Sequence, residues 1–355
     1  MKLYVGLDVS LDSTSVCVVD QDGTVVRECK PATDPEAIGL ALKEWIGSIE
    51  RVGLEAQSLS PWLSVELLRL GLPAIVIETV HMQRALSAQR NKTDRNDARG
   101  IAQMMRTGWF RAVHVKSPES QQLRFLLSGR RLLKRKFIDV ENELRGALKA
   151  FGLVIGAVGR GDLEARTIEL IDGAPRIVVA LATTLLRVRR MLFAEYAELH
   201  KQILRVVRDD EICRRFMTVP GVGPVTALAF KAAVDDPARF KRSRTVGAHF
   251  GLTPRRFQSG TVDYSGRISR CGDPEVRTAL YASASSLLVR CKKWSSLRAW
   301  GMTIAKRRGH KKAVVAVARK LAAVLHRMWR DGSEFRWSTA KDAQPNGMAA
   351  TALTA

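Results

Sequence analysis

Between residues 118 and about 151 the apolar side chains Leu123, Leu126, Leu133, Phe137, Val140, Leu144, Leu148 and Phe151 fall mostly three or four positions apart. A second stretch, from about 176 to 208, repeats the pattern through Leu181, Leu185, Val188, Leu192, Leu199, Ile203 and Val206, with Arg and Lys on the other face. Such spacing draws one apolar stripe along a long helix. The Gly-rich break at 152–162 divides the two, so they form either an antiparallel hairpin or coiled-coil arm, or two helices of a compact bundle. A chain of 355 residues also exceeds what one hydrophobic core usually supports, and two or three domains are expected.

Ahead of the helical pair the pattern changes. KLYVGLDV (2–9), STSVCVVD (13–20) and GTVVRECK (23–30) are β-rich runs separated by short polar turns, with DQDG as a hairpin signal. A helix is expected over 35–49, opened by Pro35, then a strand RVGLEA at 51–56 and a helix over 61–70. PAIVIET at 73–79 reads as a buried strand, followed by a helix holding NKTDRNDARG (91–100). Three strands followed by alternating helix and strand is the order of an α/β RNase H-like, RuvC-like fold. Beyond 210 the chain reads as mostly α. PGVGP at 220–224 resembles the hairpin of a helix-hairpin-helix element or a helix-capping turn, and turn-rich GLTPRR and QSGTVDYSGRISRCGD precede helices at about 274–291 and 311–330. The expected division is 1–115, an α/β module; 116–210, a helical coiled-coil region; 211–335, a mostly helical module; and 336–355, a disordered tail.

Charge separates the same segments. The net charge is +23, yet residues 1–115 hold 13 Lys and Arg against 14 Asp and Glu, leaving 45 against 21 for the remainder. A cation so placed suits a polyphosphate partner. No apolar run approaches the roughly 20 residues that cross a bilayer, and MKLYVGLDVS lacks a signal peptide's apolar core, so a soluble, intracellular protein without a membrane partner is expected. Cys17, Cys29, Cys213, Cys271 and Cys291 form no CxxC pairs and read as reduced thiols.

Asp8 and Glu55 each end a strand, and Asp94 and Asp97, three apart on a helix, share a face. Four converging carboxylates repel unless a divalent cation neutralises them. Oxygen donors without His or Cys suit Mg²⁺ or Mn²⁺, the ions of phosphodiester chemistry. Singly, each acid reads more readily as a turn or capping residue, and the joint arrangement is what favours a metal site.

GLDVS, VGLEA and KTDRNDA, in that order, closely resemble the DEDD motif of the bridge-RNA-guided insertion-sequence transposases, the family numbered 110, which includes Piv-type DNA invertases. PGVGP, GLTPR, QSG, GRISRCGD and KKA.VAVARKLA look like that family's second conserved domain, so the resemblance spans about residues 3 to 331. It implies metal-site roles for Asp8, Glu55, Asp94 and Asp97. It further implies that Ser259 is a nucleophile joining covalently to a DNA phosphate, with Ser265 and Ser269 as substitutes, in a module spanning 211–335. Gly260 would let DNA approach the backbone.

The resemblance implies target and donor DNA and a structured guide RNA as partners. It also favours a homo-oligomer, a dimer or tetramer with shared active sites, working on the nucleoid in a prokaryotic cytoplasm. Candidate nucleic-acid contacts are Lys92, Arg95, Gly221, Gly223, Lys241, Arg242, Arg244, Arg255, Arg256, Arg267, Arg270, Arg277, Lys306, Arg307, Arg308, Lys311 and Lys312. Rival readings are a Piv-like invertase, a RuvC-like endonuclease that uses water and ignores Ser259, and a nonenzymatic nucleic-acid-binding protein.

Overall fold

The computed structural model describes residues 1–87 and 93–337. Lys92 and nearly all of the expected tail, from 338 on, lie outside them. The chain divides into two compact units, Met1–Lys116 and the part from Ser117 onward.

The first unit is α/β. Strands β1 (Leu3–Val9), β2 (Thr14–Val19) and β3 (Val25–Cys29) form the expected meander, followed by α1 (Pro35–Leu42), β4 (Ile49–Glu55), α2 (Ser60–Arg69), β5 (Ala74–Ile77), α3 (Thr79–Leu86) and α4 (Asp94–Thr107). The helix expected over 35–49 is α1 continued by a 3-10 segment through Ser48. The sheet order is β3-β2-β1-β4-β5, antiparallel across the meander and parallel from β1 to β4 to β5. This topology is compatible with the expected RNase H-like fold.

Side-chain alternation gives the sheet two faces. Leu3, Val5 and Leu7 of β1 and Val52 and Leu54 of β4 form one core with Ile38 and Leu42 of α1 and Leu63 and Leu67 of α2. The opposite face carries Tyr4, Cys17 and Val19, which meet Ala98 and Ala102 of α4. Gly6 makes that contact close: a Cβ there would lie 2.1 Å from the Ala98 carbonyl oxygen and 2.4 Å from the Ala102 nitrogen. The hydroxyl of Thr93 caps α4 by accepting from Asn96 N–H at 3.2 Å, and Gly108, at φ 71°, ends it.

The second unit is mostly helical: α5 (Pro118–Lys149), α6 (Leu163–Leu170), α7 (Arg176–Asp209), α8 (Glu211–Met217), α9 (Pro224–Val234), α10 (Val246–His249), the strands β6 (Pro254–Ser259) and β7 (Val262–Ile268), then α11 (Pro274–Val289), α12 (Ser296–Arg308) and α13 (His310–Asp331). The two striped helices are antiparallel, since Phe137 meets Phe193 and Tyr196 edge-on, at 5.4 and 5.2 Å between ring centroids, while Glu141 meets Arg189. One end of the pair, through Leu127, Ile203 and Val207, enters the main core with Phe216, Phe230, Leu280, Leu287 and Leu321. The other end closes a small core of its own, Leu144 and Leu148 with Ile155, Leu163, Ile171, Val178 and Leu186. Between them Glu141 accepts from Arg189 Nε at 3.1 Å and Arg160 Nε at 3.2 Å.

Besides short helices such as α3, α6 and α8, which were not expected, two larger features differ from the sequence expectation. Residues 254–268, read as turns, form a β-ribbon; every residue of β6 is exposed, so the strand shows no apolar alternation. Helix α12 was not expected, because it buries only Leu297 and Gly301 and carries no stripe.

Candidate active site

Register and alternation place the strand acids. β1 and β4 pair in parallel with Gly6 opposite Gly53 and Leu7 opposite Leu54, so Asp8 and Glu55 follow in step at the carboxyl ends of adjacent strands, about 4.8 Å apart in backbone spacing. Both share parity with Gly6 and Gly53, whose missing side chains face Ala98, Ile101, Ala102 and Met105 of α4. Asp8 and Glu55 therefore belong to the α4 face of the sheet, and both are half-buried.

The direction of α4 follows from the same contacts. Arg51, level with Tyr4, donates to the Met105 carbonyl at 2.8 Å, whereas Gly6, two residues further along the strand, lies against Ala98 and Ala102. Moving up the strand moves down the helix, so one further step brings Asp8 and Glu55 level with the first turn of α4. That turn holds Asp94 and Asp97, one helical turn before Ala98 and Ile101 respectively.

The four acids are thus level with one another along the strand direction but form no closed ligand group: among the described residues no three His, Cys, Asp or Glu are grouped to hold a metal ion. Carboxylates repel one another, and Asp94 instead receives Lys30 Nζ at 3.0 Å. Glu55 Oε2 accepts from Gln57 Nε2 at 3.4 Å. The donor chemistry fits a hard divalent cation, all oxygen, with the neighbouring Cys17 thiol pushed up to about 11 by burial and so not an available thiolate. Beside the acids, Arg99 Nη2 donates to Glu28 Oε2 at 3.0 Å and Arg95 Nε to the same oxygen at 2.7 Å; Arg99 foremost and then Arg95 lower the Glu28 carboxyl to about 2 and tie α4 to β3. Sequence reading missed Glu28 and Lys30, and only their place at the end of the third strand could have marked them.

Ser259 is the last residue of β6, paired with Val262 across the two-residue turn Gly260–Thr261. Gly260 has φ 54°, which the first position of such a turn demands, and the space where its side chain would sit is open. Ser259 is exposed, and among the described residues its hydroxyl has no hydrogen-bond partner. Ser265 lies opposite Arg256, and Ser269 is engaged with Cys271 Sγ at 3.0 Å and, through its N–H, with the Thr253 carbonyl. Sequence reading also passed over Phe257 and Tyr264, whose rings stack on the ribbon. Their signal was the period-two spacing of Phe257 and Ser259, then Val262 and Tyr264, about the Gly260–Thr261 turn.

The candidate basic contacts fall into two groups. Lys241, Arg242, Arg244, Arg255, Arg267, Arg270, Lys306, Arg307, Arg308, Lys311 and Lys312 are all exposed. His310, Lys311 and Lys312 open α13 with no acid in its first turn, a placement the helix dipole opposes and a bound anion would offset. The guanidinium of Arg277, by contrast, donates to the Phe250 and Cys271 carbonyls at 3.1 and 2.8 Å, and Arg256 is paired with Asp263. In PGVGP, a Cβ on Gly221 would lie 2.4 Å from the Ser283 carbonyl of α11, so this glycine seats the turn between α8 and α9; Gly223 is the N-cap of α9 and faces open space.

Residues 5–152 match a DEDD transposase family of the IS110 type, described as a transposase, and residues 213–299 match one described as "Transposase IS116/IS110/IS902 family". The transposase for insertion sequence element IS1111A of Coxiella burnetii is 30% identical over 330 residues, covering 90% of this chain and 87% of its own length. The chain belongs to the IS110 family of insertion-sequence transposases. A probable family 20 transposase of Pseudomonas aeruginosa is 30% identical over 279 residues, 77% of this chain and 82% of that protein. The pilin gene-inverting protein of Moraxella bovis is 25% identical over 120 residues, 33% of this chain and 37% of that protein. Membership of the IS110 family makes the chain a DNA-binding strand-transfer enzyme in general terms, and its DEDD domain points in general to dependence on a divalent metal ion. No helix among the described residues is long and apolar enough to cross a membrane.

Proposed function

We propose that this transposase cuts and rejoins DNA through a phosphodiester of Ser259, with Asp8, Glu55, Asp94 and Asp97 holding Mg²⁺ or Mn²⁺ and a structured guide RNA selecting target and donor DNA on the nucleoid. The observation that carries the reading is the shared edge: two acids in step on adjacent parallel strands, level with a helical turn that bears two more. When bound, the ion would polarise the phosphoryl group and make an alkoxide accessible near neutral pH.

Asp8 and Glu55 are the fixed half of this site, because strand pairing and the α4 contact set their backbones. Asp94 and Asp97 stand on the first turn of a helix and are the adjustable half, with Lys30 a competitor for Asp94. Ser259 Oγ attacks phosphorus; its bond to phosphorus forms as the bond to a deoxyribose oxygen breaks, and the serine proton leaves to solvent or to that oxygen. Attack by another strand's hydroxyl reverses these events and frees the serine.

The labour divides along the chain: 1–115 supplies the carboxylates, 116–210 the helical arm, and 211–335 the serine and basic grip. Because the hydroxyl accepts and donates no hydrogen bond among the described residues, we take its site to be completed by the carboxylate module in a homo-oligomer, a dimer or tetramer with shared active sites.

The test incubates purified protein with its element's end DNA, guide RNA and Mg²⁺. Denaturation-resistant protein–DNA adducts are expected in the wild type and none in Ser259→Ala. Nicks without adducts, or recombination by Ser259→Ala, would eliminate the serine route and favour a RuvC-like endonuclease. Adducts formed without any RNA would favour an invertase-like reaction, a second reading motivated by the similarity to the pilin gene-inverting protein.

A further inference from the structure

We propose that Phe257 and Tyr264 form a platform on which an unpaired base of the reacting DNA strand stacks, holding that strand beside Ser259. The inference rests on the reading of Ser259 as the nucleophile for its purpose, but not for its geometry.

Two large rings stand in water here without a core to explain them. Phe257 is 44% and Tyr264 56% exposed, on a ribbon whose β6 residues are all exposed. Even so the rings are ordered against each other, centroids 5.0 Å apart and planes 18° from parallel. Cross-strand pairing puts Phe257 opposite Tyr264 and Ser259 opposite Val262. Residues two apart on a strand share a face, so the rings and the hydroxyl lie on one side of the ribbon, about 7 Å apart along it. That is roughly two base rises of a nucleic-acid strand at 3.4 Å each.

Gly266 shapes the surface. A Cβ there would lie 3.0 Å from Phe257 Cε2, so the phenyl ring rests over the glycine and any larger side chain would tilt it. The other side of the ribbon holds its register by different means, Arg256 reaching Asp263 through two hydrogen bonds of 2.9 and 2.5 Å. One side is thus a polar clasp, the other an aromatic shelf ending in a hydroxyl.

Charge selects the occupant. The segment from 116 on holds 45 Lys and Arg against 21 Asp and Glu, and Arg255, Arg267 and Arg270 around the ribbon are exposed. Aromatic rings set among arginines are the means by which single-stranded nucleic acid is held, stacking serving the bases and arginine the phosphates. A paired duplex offers no free base face, so the ligand is a strand opened at the point of cutting.

The test uses the full-length Ser259→Ala protein, so no chemistry intervenes, with a single-stranded oligonucleotide carrying 2-aminopurine and a duplex of equal length. Stacking quenches the fluorescent base on binding. Phe257→Ala and Tyr264→Ala should each abolish the quench and weaken single-strand binding by about tenfold, with duplex affinity and circular dichroism unchanged, while Tyr264→Phe retains both signals. Unaltered quenching in the double alanine variant overturns the proposal. So does an equal loss on single strand and duplex, or a change of oligomeric state in place of a change in quenching, which would make the rings a contact with another copy. A platform that quenches while wild-type protein forms no adduct refutes the serine reading alone; adducts with no quench refute the platform alone.

Discussion

Replacing Gly6 by alanine tests the element on which the candidate site depends, the direct seating of α4 on β1. The added methyl would come within 2.1 Å of the Ala98 carbonyl oxygen and 2.4 Å of the Ala102 nitrogen, against the 3.4 Å at which ordinary contact begins. Both obstacles are helix backbone, so no rotamer change relieves them and α4 must retreat as a body. Overpacking of this kind costs typically 1–3 kcal/mol, and backbone obstacles place it near the top, about 3 kcal/mol. For a unit of this size that is a fall in melting temperature of roughly 10 °C. Gly53→Ala is the internal control. Its nearest atoms, at 2.7 and 2.8 Å, are side-chain atoms of Met105 and Ile101, and methionine yields, so about 1 kcal/mol is expected. Because α4 carries Asp94 and Asp97, Gly6→Ala should also depress Mg²⁺-dependent strand transfer in the protein that remains folded, and Gly53→Ala much less. Calorimetry with strand-transfer assays at a temperature where both variants are folded decides it. Equal melting temperatures for the two, or wild-type activity in Gly6→Ala, would show that α4 does not lie on the strand as described.

Further outcomes follow from other contacts. The Glu28 carboxyl, lowered to about 2 from 4.5 by Arg99 and Arg95, contributes stability that is fully present above about pH 4.5 and lost as pH falls toward 2; the melting difference between wild type and Glu28→Gln should therefore be seen at pH 6 and shrink steadily below 4.5. Glu141→Ala leaves Arg189, 7% exposed at its side chain, without its carboxylate, and should cost about 3 kcal/mol in denaturant unfolding, whereas a cost under 1 would mean the pair is solvated. Alanine at both Lys311 and Lys312 should lower the slope of log affinity for duplex DNA against log salt by about two, and an unchanged slope would remove them from the phosphate contacts.

The long helices could be read from sequence because each buries a continuous stripe, and the first unit because its strands alternate between two covered faces. The β-ribbon and α12 were hidden for the opposite reason: β6 exposes every residue and α12 buries only Leu297 and Gly301, so neither carries a continuous apolar stripe. The four acids were visible one at a time. Their convergence was expected from the strand ends and the i, i+3 pair, but the way α4 is seated was not legible, since it depends on Gly6 admitting the helix backbone, and a glycine within a strand announces no partner. Charge was legible but its engagement was not: Arg256 is held by an aspartate seven residues on, Arg277 by two carbonyls, and Arg95 by a glutamate on a distant strand. Ser259 was marked by resemblance alone, and the turn at Gly260 is what sets it at the tip of the ribbon.

The paired helices α5 and α7 end in two separate apolar clusters, with the Phe137 ring contacts and the buried Glu141–Arg189 pair between them. Such a division lets the distal end, from Leu144 through Leu186, open and close as its own cooperative segment while the basal end stays anchored. Amide hydrogens there should exchange as a group, well before those around Ile203. The last turns of the arm can then give way without loosening the main core that anchors its base.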